Sequence, residues 1–199
     1  MGHDKRITSS VLSSDGQLLV TGSNDGRAIS WETATGKQLG TFTEGSAKVT
    51  SVALSGDGKM LATGTYGRKS LILWDLKTGK ELRTFEGHEG FVSSVALTGD
   101  GRSVIAGFHD GTAIQWDTNT GEKTRTFAGH SSQVRSLDLS DDNKYLVTGS
   151  HDQTAVLWEF GTGEKLRTFS SKDGMTLSVA FSGDEKTLAT GSYSNTARL

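Results

Sequence analysis

Residues 48–85 read KVTSVALSGDGKMLATGTYGRKSLILWDLKTGKELRTF, in which short apolar-rich runs alternate with turn sequences. KVTSVALS (48–55) alternates polar and apolar residues, GDGK (56–59) turns the chain, and MLATGT (60–65) follows. A second turn leads to SLILWDL (70–76), then KTGK (77–80), then ELRTF (81–85). Short runs bounded by Gly and Asp and rich in Val, Leu, Thr and aromatics are strand signals. Helical spacing of apolar residues appears nowhere. The pairs Asp15-Gly16, Asp57-Gly58 and Asp100-Gly101 supply the positive φ that tight hairpins need.

Working outward, this stretch recurs along the chain. Trp31, Trp74, Trp116 and Trp158 are spaced by 43, 42 and 42 residues. Phe42, Phe85, Phe127 and Phe169 keep the same beat, as do Ser9, Ser51, Ser94, Ser136 and Ser178, and Gly22, Gly64, Gly107, Gly149 and Gly191. A fixed period in this range means repeated supersecondary units that bury their faces on one another. A four-stranded antiparallel unit of this length is the description of a propeller blade. The expected fold is all-β, in one domain over 1–199, with repeats near 1–42, 43–85, 86–127, 128–169 and 170–199. Leu199 aligns with Leu157, so the fifth repeat lacks its Trp and outer strand, leaving about 4.7 blades. The expectation drawn from this is a fragment of a larger, seven-bladed ring, with self-association through the incomplete blade edges as the competing possibility.

Composition narrows the function. The chain has 199 residues with 21 Lys+Arg against 23 Asp+Glu, a net charge of −2, so no bulk attraction to nucleic acid or an anionic membrane is expected. No apolar run approaches the roughly 20 residues of a membrane-spanning helix. The absence of Cys excludes disulfides, thiolate metal sites and a cysteine nucleophile. The opening MGHDKRITSS has no apolar core of a secretory signal, and a cytoplasmic location is expected. The pairs Gly36-Lys37, Gly58-Lys59 and Gly79-Lys80 lack phosphate-loop spacing, and there is no Gly-x-Ser-x-Gly elbow or calcium loop. No enzyme signature survives, and no cofactor is expected.

The stretch GHSSQVRSLDLSDDNKYLVTGSHDQTAVLWE (129–159) resembles a WD-repeat, with Gly-His near its start, Asp in the second hairpin and Trp followed by an acid. Gly-His recurs at 2–3 and 87–88, and Trp74-Asp75 and Trp116-Asp117 give the literal dipeptide. The resemblance covers the whole chain. It implies a β-propeller acting as a non-enzymatic platform for other proteins or peptide segments. The alternative it implies is a regulatory or sensor module from a larger multidomain enzyme. It also implies a hydrogen-bonded set inside each blade: His3, Thr21, Asp25 and Trp31 in repeat 1, and His130, Thr148, Asp152 and Trp158 in repeat 4. Repeat 3 keeps His88, Asp110 and Trp116 but has Ala106 for the hydroxyl; repeat 2 keeps Thr63 and Trp74 but has Gly45 for the His. Repeat 5 has Lys172 for the His and Ser194 for the Asp. Sets recurring once per blade are spread apart, so they read as structural and not as catalytic or metal sites.

In propellers of this type one loop-rich face surrounds the central channel, and by the family's rule this chain presents Arg6, Thr8 and Asn24; Lys48, Thr50 and Tyr66; Phe91, Ser93 and His109 there. Gln133, Arg135 and His151 continue the series, followed by Met175, Leu177 and Tyr193. Tyr, Phe, Met and Arg are types enriched where interfaces hold their energy. Arg6, Lys48, Arg68, Arg135 and Lys172 point to an acidic or phosphorylated segment, against which stand Asp4, Glu89 and Asp173 in the same loops. Asp138 replaces the small or apolar residues Val11, Ala53, Ala96 and Ala180 of its column, and is expected to pair with a basic group, face water or line the channel.

Overall fold

A computed structural model describes residues 2–43, 45–67, 71–86, 88, 90–171 and 174–199; Arg68, Glu89, Lys172 and Asp173 therefore lie outside the described residues. Every regular element is a β-strand, and the strands form five antiparallel sheets in chain order. Blade 1 is β1 (Ile7–Leu12), β2 (Leu18–Ser23), β3 (Arg27–Glu32) and β4 (Gln38–Thr43). Blade 2 is β5 (Lys48–Leu54), β6 (Met60–Tyr66), β7 (Leu71–Asp75) and β8 (Glu81–Thr84). Blade 3 is β9 (Val92–Leu97), β10 (Ser103–Phe108), β11 (Thr112–Asp117) and β12 (Lys123–Ala128). Blade 4 is β13 (Val134–Leu139), β14 (Tyr145–Ser150), β15 (Thr154–Glu159) and β16 (Lys165–Ser170). Blade 5 holds β17 (Thr176–Phe181), β18 (Leu188–Ser192) and the short β19 (Ala197–Arg198). This is the partial propeller of about 4.7 blades that the period implies.

Blades 2, 3 and 4 are sandwiched between neighbours, so their middle strands are buried on both faces and carry apolar runs such as Leu71-Ile72-Leu73. The Phe and Trp columns meet across the seams. Phe42 packs edge-on against Trp74 at 6.0 Å between ring centres and Phe127 against Trp158 at 5.7 Å, while Phe85 lies tilted against Trp116 at 6.0 Å. At the fourth seam Arg167 lies 5.0 Å over the Phe169 ring, beside a groove of about 680 Å³ walled by Leu157, Phe181 and Leu188.

The Gly and Ser columns tie blade to blade. A Cβ on Gly22 would lie 2.7 Å from Val49 Cγ1, one on Gly107 2.6 Å from Val134 Cγ1 and one on Gly149 2.8 Å from Val179 Cγ1, with Gly64 crowded by Val92 in the same way. Only Gly lets the next blade's first strand come this close. The Ser hydroxyl oxygens accept backbone N–H groups of the next blade: Ser9 from Val52 (3.2 Å), Ser51 from Val95 (3.1 Å), Ser94 from Leu137 (3.3 Å) and Ser136 from Val179 (3.2 Å). Side chains of the outer strands also cross the seams: Arg83 donates to the carbonyls of Thr118 and Asn119, and Arg125 to that of Phe160.

Candidate functional site

Inside blade 4 a hydrogen-bonded chain runs from the indole to the hairpin. Trp158 Nε1 donates to Thr148 Oγ1 at 2.8 Å, Thr148 Oγ1 lies 2.8 Å from His130 Nε2, and His130 Nδ1 lies 2.9 Å from Asp152 Oδ2. The indole can only donate, so Thr148 Oγ1 accepts from Trp158, and the two ring nitrogens of His130 link that hydroxyl to the Asp152 carboxylate. Blade 1 repeats the geometry: Trp31 Nε1 to Thr21 at 2.8 Å, Thr21 to His3 Nε2 at 2.8 Å and His3 Nδ1 to Asp25 at 2.9 Å. Burial pushes the Asp25 carboxyl up, but hydrogen bonds from Arg27, the Asp4 amide and His3 outweigh it and hold it well below the usual range. Asp152 is likewise pushed up by burial and held low by Thr154, the Ser131 amide and His130.

Blades 2, 3 and 5 solve the same place differently. Trp74 Nε1 donates to Thr63 at 2.9 Å. In blade 3, where Ala106 offers no hydroxyl, Trp116 Nε1 donates to the Glu86 carbonyl at 3.2 Å. His88 is turned over: its Nε2 meets Asp110 at 2.8 Å, its Nδ1 accepts the Gly90 amide at 2.8 Å, and its ring stacks on Phe108 at 3.6 Å. In blade 5 the hydroxyls of Ser192, Ser194 and Thr196 bond to one another. Among the described residues no group of three or more His, Asp or Glu side chains is placed to hold a metal ion.

The loop-rich face carries a different chemistry. Arg6, Thr8, Asn24, Lys48, Thr50, Tyr66 and Arg135 line one cavity of about 260 Å³. The arc of blades curves far enough to bring Arg135 of the fourth blade to residues of the first two. Among the described residues Arg6, Lys48 and Arg135 have no ion-pair partner. The nearby Asp4 is turned to Arg27, 2.8 Å away. Next to the cavity Tyr66 stacks on Phe91 at 3.6 Å, with His109 edge-on to both, at 6.3 Å from Tyr66 and 5.8 Å from Phe91. Tyr66 is 49% exposed and Phe91 38%, so this is an aromatic step open to solvent. Gln133 hydrogen-bonds His151 Nδ1. Burial, then the charges of Arg135 and His109, keep the His151 imidazole below its usual pKa. Met175 and Tyr193 do not line the cavity; Met175 is half-buried and Tyr193 is 69% exposed.

Thr8 and Thr50 line the cavity as their place in the repeat implies, and with the buried Ser93 they also tie the blades together: Thr8 donates its hydroxyl to Val49 O at 2.7 Å, Thr50 to Val92 O at 2.8 Å and Ser93 to Val134 O. Thr8 and Ser93 also reach their own blade, at Gly22 O (3.0 Å) and Gly107 O (2.9 Å). Half-buried Asp138 pairs with no base among the described residues. Its carboxylate accepts the Phe181 amide of blade 5 at 2.8 Å and the Leu139 amide at 3.1 Å, while burial pushes its pKa up. It supplements the Ser136 link across the same seam. The cross-seam role of the hydroxyl columns was missed because the bonded partner lies one full repeat away; the regular 42–43-residue spacing was the available signal.

The model of the WD40 family, described as WD domain, G-beta repeat, matches this chain over residues 1–32, 36–75, 79–117, 121–159 and 163–199. No curated protein matches it.

Proposed function

From the premise that the chain belongs to the WD40 repeat family, we propose that it is a non-enzymatic interaction module that binds a peptide segment of a partner protein on its loop-rich face. WD40 repeats generally mediate protein–protein interactions and are typically non-catalytic. The observation that carries the reading is the exposed Tyr66–Phe91–His109 step beside the cavity. Blade packing does not require these side chains, whereas buried columns such as Val49, Val92 and Val134 are set by it. Rigid aromatic area with basic side chains at its border is the composition of an interface centre. Neighbouring strands hold the step, so little ordering cost falls on binding.

The test is a selection from a displayed peptide library on the whole chain, followed by affinity measurement on variants. Peptides that bind through this face lose about tenfold or more on Phe91→Ser and keep their affinity on Leu82→Ser, a half-exposed position on the outer strand of blade 2. Selected peptides that bind both variants like the parent chain would overturn the reading.

A further inference from the structure

The column of residues 8, 50, 93 and 135 separates what the blade needs from what it does not. In the first three blades this position is Thr8, Thr50 and Ser93, each donating its hydroxyl to a carbonyl of the next blade. In the fourth blade it is Arg135, which forgoes that bond and lines the cavity with Arg6 and Lys48. A position that the repeat uses for cohesion has been given to a cation, and that cation faces two others with no carboxylate among the cavity's lining residues. Three like charges around one pit repel one another, so the arrangement costs stability until an anion enters.

We infer that this cavity receives a phosphorylated side chain of the bound peptide, with the residue beside it lying on the Tyr66–Phe91 step. The inference rests on the reading of this face as a peptide-binding face. The size fits: about 260 Å³ is below the range of about 300–1,000 Å³ of pockets for whole cofactors and drug-sized ligands, and suits one side chain. The charge fits as well. A phosphoryl ester carries nearly two negative charges and three acceptor oxygens at neutral pH, enough to engage two guanidinium groups and an ammonium together, whereas one carboxylate leaves two of the cations unmatched. The hydroxyls of Thr8 and Thr50 are already committed to Val49 and Val92, so donors toward the anion come from Arg6, Lys48, Arg135 and the Asn24 amide. The cations are gathered into one pit on a chain of net charge −2, not spread as a stripe, and Tyr66 and Phe91 cover one face of each other, which disfavours an RNA or a lipid surface as the occupant.

The experiment uses the whole chain and fluorescein-labelled heptapeptide pools with degenerate flanks and a fixed centre of phosphoserine, glutamate or serine, read by anisotropy. The phosphoserine pool binds about tenfold or more tighter than the serine pool, and the glutamate pool falls between them. Arg135→Ser removes the preference for phosphate while its melting temperature holds or rises, because serine restores the cross-seam hydroxyl of the column. That pairing of outcomes separates a binding role from a structural one. If serine and phosphoserine pools bind alike, or Arg135→Ser leaves the preference intact, the inference falls and the peptide-binding reading stands. If no pool binds in any form, both fall. Displacement of the phosphoserine pool by equimolar inorganic phosphate, or tighter binding to single-stranded RNA or phosphatidylserine vesicles than to that pool, also overturns the inference.

Discussion

One substitution, threonine to valine, has opposite consequences at two buried positions, and the sign follows from what each hydroxyl touches. Thr148 is fully buried and its hydroxyl bridges Trp158 Nε1 and His130 Nε2, both at 2.8 Å. Valine keeps the volume and strands both partners. Each buried polar group left alone costs about 1–3 kcal/mol. Blade 3 shows how much relaxation is available: without a hydroxyl, its indole reaches the Glu86 carbonyl and its His88 turns over onto Phe108. In blade 4 the position of Phe108 is Ser150, so His130 has no ring to turn onto and at most the indole is rescued. The expected loss for Thr148→Val is therefore about 2–4 kcal/mol, a melting-temperature drop of about 5–15 °C for a chain of this size. Thr176 is also fully buried, but its hydroxyl has no partner among the described residues, and its column is Ile7, Val49, Val92 and Val134 in the other blades. Thr176→Val is expected to gain about 1 kcal/mol. Urea denaturation gives the global sign, and hydrogen exchange at the Trp158 indole proton reports blade 4 directly. A loss below about 0.5 kcal/mol for Thr148→Val with unchanged indole exchange, or a loss for Thr176→Val, would refute the reasoning.

Two other changes follow from backbone and charge. Gln153 sits at φ +71°, where blades 1 and 3 have Gly26 at +87° and Gly111 at +90°; Gln153→Gly relieves a left-handed side chain and raises stability by about 0.5–1 kcal/mol in the same denaturation assay. A drop in the midpoint would contradict this. For Asp138 the folded pKa is raised by burial, so the native state resists ionisation and stability is lost as pH rises from about 4 through the folded pKa. Asp138→Asn keeps one acceptor for the Phe181 amide and removes that loss, so its stability relative to the parent climbs between about pH 4 and pH 7. Parallel pH profiles of variant and parent would exclude the effect. Asp25, Asp110 and Asp152 have lowered pKa values and impose the opposite slope on acidification, common to both proteins, so the difference profile isolates Asp138.

The blade was legible in the sequence because a repeated backbone demands repeated contacts, and the Trp, Phe, Ser and Gly columns are those contacts. What each column does was less legible. The apolar run Leu71-Ile72-Leu73 announces a strand by itself, but that Ser51 accepts an amide from Val95, or that Gly64 seats Val92, depends on how two blades lie together. The cross-seam bonds of Thr8, Thr50 and Ser93 were not legible for this reason: the accepting carbonyl belongs to the next blade. The candidate face was only partly legible. Its residues can be nominated from their place in the repeat, yet the meeting of Arg6, Lys48 and Arg135 is a product of the arc's curvature, which no single repeat encodes.

In a repeat protein the residues that break the period carry the information that the fold does not need, and they can be sorted by what takes over the lost contact. Ala106 loses a hydroxyl and is compensated on the spot, since Glu86 takes the indole and Phe108 takes the imidazole. Asp138 gains an acceptor that the column lacks, and the Phe181 amide uses it, so it strengthens a seam. Thr176 adds a hydroxyl that nothing among the described residues uses, a local cost within the seam. Arg135 differs from all three. It gives up a bond made by each of the first three blades, no neighbour among the described residues replaces it, and its charge sits beside two of the same sign. A departure that the fold neither requires nor compensates is accounted for by something outside the fold, and the cavity that Arg135 helps to line is where that partner has to be sought.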